Sequence, residues 1–440
     1  MTHHLISFLG TSNYKECCYT NEQFNHQTAY SSVAVAHYIE ATVDATAVTK
    51  ATVFVTPSAE RLNAENLRAA WSPRAELALQ SISESGDENG YWSIFQTINE
   101  TIQDDEIVWL DITHSFRYLP LLAYAVLQYL RDVRHITIGG IYYGAAETLG
   151  PLAQWPVDAS DCRVPLHDLS AFLQVNQWSN ALSTFNESGV ATGIRKLTDT
   201  KALPLVKASK GKDQQAQALK QLGIALETWS QQAQTCRGGA MIETTIGDRI
   251  DDFISAIGQD MIPPLSSEFT KLQLQFSRLK KGQVENIFIA AEWCAEKGLI
   301  QQTWTLLQEG IVTFFTDRWG VELNEAFPMP INQKPASAAK RIFIQRREFV
   351  SQLFQVSGTG IQPRVWKEPL GRHPALGQQL QHEIPQGLAK LYINIAADRN
   401  DINHAGFDQN AADHKKITQR AHENLAAVRA AIPEAFDGIL

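Results

Sequence analysis

Cysteine is scarce in this chain, five in 440 residues, and the five form no pattern. Cys17, Cys18, Cys162, Cys236 and Cys294 are odd in number and include no C-x2-C pair. That excludes a disulfide framework and a cysteine-based zinc site, and fits a reducing cytoplasm. Net positive charge is also missing: the formal charge is -9, so there is no global attraction to nucleic acid or anionic membrane, and any RNA contact must be local. No long hydrophobic run occurs. The longest, 119–130, carries Gln128 and two tyrosines and falls short of the roughly 20 residues of a membrane span. The opening MTHHLISFLGTSNY has too short an apolar run and no basic flank for a signal peptide, so a cytoplasmic protein without a membrane segment is expected. The phosphate-binding signatures G-x4-G-K-[ST] and G-x-G-x-x-G after the first strand are absent, and so is an acidic ribose residue, which weakens any reading as a nucleotide-dependent metabolic enzyme. His404, His414 and His422 do not share a face at ligand spacing, so no metal is expected.

What is present divides into two kinds of pattern. Short apolar, β-branched runs at 5–9, 51–56, 107–112 and 135–143 alternate with helical segments at 31–41, 59–71, 92–102 and 116–133. This alternation predicts an α/β Rossmann-like domain with a mostly parallel sheet covered on both faces. A second short run, 152–157, is placed to pair with 139–143 as a closing hairpin, and the turn-rich 158–165 sets a domain boundary near 165. In such sheets ligands collect outside the carboxyl ends of the strands. Two polar segments fall there. Gly10 to Tyr14, with Thr11, Ser12 and Asn13, follow the first strand, and Asp111 to Arg117, with Thr113, His114 and Ser115, follow the later one. Glycine permits close backbone approach, and hydroxyls with free amides suit phosphate.

From 166 the chain reads as all-α: a helical linker or insertion region over 166–280, then a helical domain over 281–440. Within the latter, 284–295 and 304–315 predict an antiparallel helix pair across Gly298, with Glu292 and Glu309 as surface or capping groups. Lys340, Arg341, Arg346 and Arg347 form a basic cluster, the best local candidate for holding RNA phosphates. The Gly- and Pro-rich 357–377 reads as a long loop. Leu380, Ile384, Leu388, Leu391 and Ile395, spaced by three and four, make the buried face of a helix that delivers the polar segment DRNDINHAG, 398–406. Arg399 continues that spacing, while His404 lies five positions on, about 140° around an unbroken helix. Either the long arginine reaches around the helix, or the helix is interrupted at 398–401. An arginine to stabilise a pentacoordinate phosphate and a histidine to hold or pass a proton are the parts needed to cleave RNA through its own 2'-hydroxyl, with no metal.

In this order, FLGTSNY, WLDITHSFRYLPLL and RNDINHAG resemble the CARF-HEPN proteins associated with type III CRISPR systems, in the branch whose CARF domain opens with an FLGT-type strand. The resemblance implies that residues 1–165 sense a cyclic oligoadenylate across a homodimer interface, through Gly10, Thr11, Ser12, Asn13, Thr113, His114, Ser115 and Arg117. Cyclic tetra-adenylate is the favoured activator, with cyclic hexa-adenylate the second choice. It further implies that 281–440 is a HEPN ribonuclease for single-stranded RNA, leaving 2',3'-cyclic phosphate and 5'-hydroxyl ends and needing no cofactor. Arg399 would stabilise phosphate charge, Asn400 orient the site and His404 position or shuttle the proton. The homodimer is also open to higher assembly. The competing reading is a non-enzymatic CARF sensor, regulating transcription or assembling a complex, whose Arg399 and His404 are structural.

Overall fold

In the computed structural model the described residues are 2–22, 24–43, 48–114, 116–258, 266–329, 335–407 and 411–436. Two compact units emerge, Met1–Val175 and Asn176–Leu440.

The first unit is built on β1 (His3–Leu9), β2 (Cys17–Asn21), β3 (Phe24–Thr28), β4 (Lys50–Val55), β5 (Glu76–Ser81), β6 (Ile107–Asp111), β7 (Thr137–Gly144) and β8 (Arg163–Asp168). Its helices are α1 (Ser31–Thr42), α2 (Pro57–Ala70), α3 (Glu88–Thr101) and α4 (Tyr118–Arg134). Among the described residues the strands form one sheet in the order β3-β2-β8-β7-β6-β1-β4-β5. β1 lies parallel between β4 and β6. It is apolar on both faces because both are covered: Ile6 and Phe8 face the core that includes Ile94, Ile98, Ala123 and Leu127, whereas Leu5 faces Val35, Ala36 and Ile39. From β1 the chain moves outward to β4 and β5, then crosses back through α3 to β6 on the other side of β1. The order of winding reverses between β1 and β6, and their carboxyl ends open a crevice there.

Several expectations change. β7 does pair in a closing hairpin, but its partner is β8, not 152–157, which forms a short 3-10 turn at Leu152–Gln154. Because β8 belongs to the sheet, the first unit extends to Val175 rather than 165. Strands β2, β3 and β5 were not legible. β2 and β3 form a hairpin inside the first crossover that docks on β8 at the far edge.

The second unit comprises α5 (Ala171–Ser188, which begins in the first unit), α6 (Thr192–Ala208), α7 (Gln214–Gln234), α8 (Gly238–Ile242), α9 (Ile246–Ile257) and α10 (Ser266–Phe276). It continues with α11 (Asn286–Glu296), α12 (Ile300–Arg318), α13 (Gly320–Ala326), α14 (Pro335–Thr359), α15 (Pro374–Gln381), α16 (Leu388–Asn403) and α17 (His414–Ala431). One apolar core runs from Trp178 to Phe436, so the helices of 176–280 share it with those of 281–440. The stripe from Leu380 to Ile395 belongs to two helices, not one. Pro385 and Gly387, the latter at φ 82° in the left-handed region, separate α15 from α16. Residues 357–377 are shorter in loop than expected, since α14 runs on to Thr359 and α15 starts at Pro374.

Candidate functional site

The crevice at the carboxyl ends of β1 and β6 holds a cavity of about 290 Å³. Gly10, Thr11, Ser12, Thr113 and His114 line it, joined by Tyr14, Thr56 and Phe116. Asn13 and Arg117 are exposed and stand outside this lining, Arg117 at the N-cap of α4. Ser115 lies outside the described residues.

One carboxylate organises the rim. Asp111 is fully buried at the end of β6. Its Oδ2 accepts from Ser7 Oγ at 2.8 Å and Ser31 Oγ at 2.7 Å, and its Oδ1 from the Thr113 amide at 3.0 Å and Thr113 Oγ1 at 2.6 Å. The Gly144 amide then donates to Thr113 Oγ1 at 2.9 Å, tying the loop to β7. The opposite loop is held from its own side. The Gly10 amide donates to Tyr14 Oη at 2.8 Å, and Asn63 Nδ2 of α2 donates to the carbonyls of Gly10 at 3.0 Å and Ser12 at 3.1 Å. Tyr14 and His114 meet edge to face at 4.7 Å, closing the two loops on each other. Nε2 of His114 is sealed from solvent with no hydrogen-bond partner among the described residues, and burial holds its pKa below the ordinary histidine value against the opposing pull of Asp111. Burial likewise raises the Tyr14 phenol. The result is a preformed pocket lined by hydroxyls, loop backbone and an imidazole. Sequence reasoning placed Tyr14 and Asp111 within the two rim segments without naming them as site residues, and passed over Asn63, which carried no signal.

In the second unit α16 runs unbroken through Asn403, so no interruption at 398–401 turns the chain. Arg399 is half-buried and points to α12, where Nη1 donates to Gln308 Oε1 at 3.3 Å. Its Nε is buried without a partner among the described residues. Asn400 and His404 are exposed, His404 at the C-cap. The three residues therefore share one helix end, but Arg399 faces a groove that His404 does not line. Asp398 is anchored by Arg420 of α17 at 2.9 Å, and burial still holds its carboxyl above the ordinary value. Lys340 and Arg341 are exposed, whereas Arg346 Nη2 donates to the Phe327 carbonyl at 2.9 Å and Arg347 pairs with Glu309 at 2.6 Å. The four do not form one free basic face. Glu292, paired with Arg278 and Arg429, and Glu309 are ion-pair partners within the unit. Among the described residues no helix is long and apolar enough to cross a membrane.

A Rossmann-like sheet with a pocket at the β1–β6 switch point gives the first unit the form of an α/β domain of the kind that takes ligands at that point. Residues 4–147 match the family model described as CRISPR system endoribonuclease Csx1, CARF domain. The match supports a CARF-type domain in the first unit. A relative, CRISPR-associated protein MJ1674 of Methanocaldococcus jannaschii, is 30% identical over 116 residues, which cover 26% of this chain. The matched stretch spans only 17% of that relative's length. The family match ends within the first unit.

Proposed function

We propose that this chain is a cyclic-oligoadenylate-activated, metal-independent endoribonuclease that cleaves single-stranded RNA in type III CRISPR antiviral defence. The observation that carries the reading is the switch-point pocket, lined by Gly10, Thr11, Ser12, Thr113 and His114, within the stretch that matches the CARF family model. CARF domains take a cyclic oligoadenylate, and a twofold homodimer presents two such pockets to a symmetric ring. Ser115, Asn13 and Arg117 complete the proposed activator contacts, and cyclic tetra-adenylate is the favoured ring.

The second unit acts as the HEPN ribonuclease. The 2'-oxygen of the substrate attacks the adjacent phosphorus, the bond from phosphorus to the 5'-oxygen breaks, and the products carry 2',3'-cyclic phosphate and 5'-hydroxyl ends. Arg399 stabilises the charge gathered on the phosphorane, and His404 holds or passes the proton that leaves the 2'-hydroxyl or reaches the 5'-oxygen. Asn400 shares the exposed face of His404, four residues away, and orients the site. Because Arg399 and His404 face different ways on one α16, the reading calls for two copies of that helix end to form a composite site about the dimer axis. A near-complete switch requires the activator to favour the active arrangement by about 5.5 kcal/mol.

The same divergence of Arg399 and His404 is what favours the second reading, a sensor without catalysis. The deciding experiment is cleavage of a fluorescent single-stranded RNA in excess EDTA, with and without cyclic tetra-adenylate or cyclic hexa-adenylate. Cleavage only with one ring is the expected result and names the activator. A protein that binds a ring and cleaves with neither is the non-enzymatic sensor.

A further inference from the structure

Arg399 opens onto a groove of about 520 Å³ between α12, α14 and α16. Its walls carry a second guanidinium, Arg347, and two aromatic rings, Phe343 and Tyr392. Phe343 is 56% exposed. The guanidinium carbon of Arg347 sits 5.6 Å from the centre of that ring. An exposed phenylalanine contributes little to a core, but beside an arginine it makes a platform on which a nucleobase can stack while the cation takes a phosphate.

The floor is organised by a chain of hydrogen bonds across the three helices. Ser351 Oγ and Tyr392 Oη lie 3.0 Å apart, Gln308 Nε2 donates to Tyr392 Oη at 3.4 Å, and Gln308 Oε1 accepts from Arg399. Arg399 keeps one buried donor, Nε, without a partner among the described residues. Arg347 is already engaged within the groove. It donates through Nη2 to Glu309 Oε2 at 2.6 Å and through Nη1 to Thr313 Oγ1 at 2.5 Å. The Glu309 side chain is 47% exposed, so it can return to water when another anion takes its place.

We propose that this groove is the track for single-stranded RNA leading to Arg399, with Phe343 stacking a base, Arg347 taking a phosphate, and Glu309 acting as a built-in competitor for Arg347. The inference rests on the ribonuclease reading and adds to it a base platform and a gate. Glu309 mimics the substrate's phosphate and must be displaced, so it weakens RNA binding and repels the backbone until Arg347 is released. Of the four basic residues in the cluster, Arg347 is the one that lines the track.

The test uses full-length protein carrying His404→Ala, in EDTA with saturating activator, and a short fluorescein-labelled unstructured RNA followed by anisotropy over a salt series. Phe343→Ala weakens binding roughly 5- to 150-fold, the range for losing one base-aromatic stack. Arg347→Ala weakens it and lowers the slope of log affinity against log salt by about 0.7, one phosphate contact on a single strand. Arg347→Lys retains that slope, which separates a lost contact from a misfolded unit. Glu309→Gln tightens binding. If the parent binds RNA and Phe343→Ala, Arg347→Ala and Glu309→Gln all match it, the track is overturned while the ribonuclease reading stands. If the parent binds no RNA and the His404 protein cleaves none with either ring, both fall together.

Discussion

Asp111 shows how much one buried carboxylate can arrange: four hydrogen bonds from Ser7, Ser31 and Thr113 fix the loop that follows β6. Its role was not legible because two of those donors, Ser7 of β1 and Ser31 of α1, sit on other elements that only the fold brings near. Arg399 and His404 are the opposite case. They were legible as an R-x4-H motif, and the structure adds that one faces Gln308 while the other is exposed at the helix end. Arg399→Ala and His404→Ala are each expected to lower turnover at least about a hundredfold, the scale for removing one positioned group from a charged transition state. Activated cleavage rates of the purified variants check this, and cleavage retained in both assigns the motif a structural role.

Helix α16 carries the motif, and its position depends on how closely it lies against α14. Gly358 of α14 makes that approach possible, since a Cβ there would lie 2.6 Å from the Ala389 carbonyl oxygen and 2.7 Å from Ile393 Cγ1. A backbone carbonyl inside a helix cannot step aside cheaply. Gly358→Ala is therefore expected to cost about 1–3 kcal/mol, the range for overpacking, and to reduce activated cleavage by shifting α16. Urea unfolding of the variant measures the first effect; an unchanged midpoint would show that the two helices have room to spare. The break between α15 and α16 is of the same kind. The apolar spacing ran through it without interruption, because Leu380, Leu388 and Ile395 all reach the same core from two helices. Pro385 and Gly387 held the information, and periodicity overrode them in the reading.

At the scale of the whole molecule, the response of the first unit to acid has a definite sign. In that unit, burial is the largest influence on His3, His4, His26 and His114, and holds each below the ordinary histidine value. His4 stays lowered although Glu106 lies 2.8 Å from its Nδ1. A depressed folded pKa means that the unfolded chain binds the proton first. The stability these groups contribute is present above about pH 6.5 and is lost as pH falls from there through the folded values. Thermal unfolding of the full chain on either side of that pH is expected to show the transition of the first unit moving down on the acid side. A transition that holds its temperature would mean that these imidazoles protonate without cost.

The sequence by itself determined the class of each half. Alternation of β-branched runs with helical segments dictates a parallel sheet, since a strand buried on both faces must be apolar throughout. The same logic placed the loops after β1 and β6 at one rim of the sheet, where the structure has a pocket, because strand ends at a switch point open outward whatever the side chains. Spacings of three and four residues dictated the helices that followed. What only the tertiary structure decided was adjacency between distant segments. The docking of β2 and β3 on the far edge, the Asp111 network, the ties of Arg346 and Arg347, and the groove joining Phe343 to Arg399 all depend on contacts between residues far apart in the chain. Local pattern reports which way a side chain faces on its own element; it carries no record of what the fold places opposite.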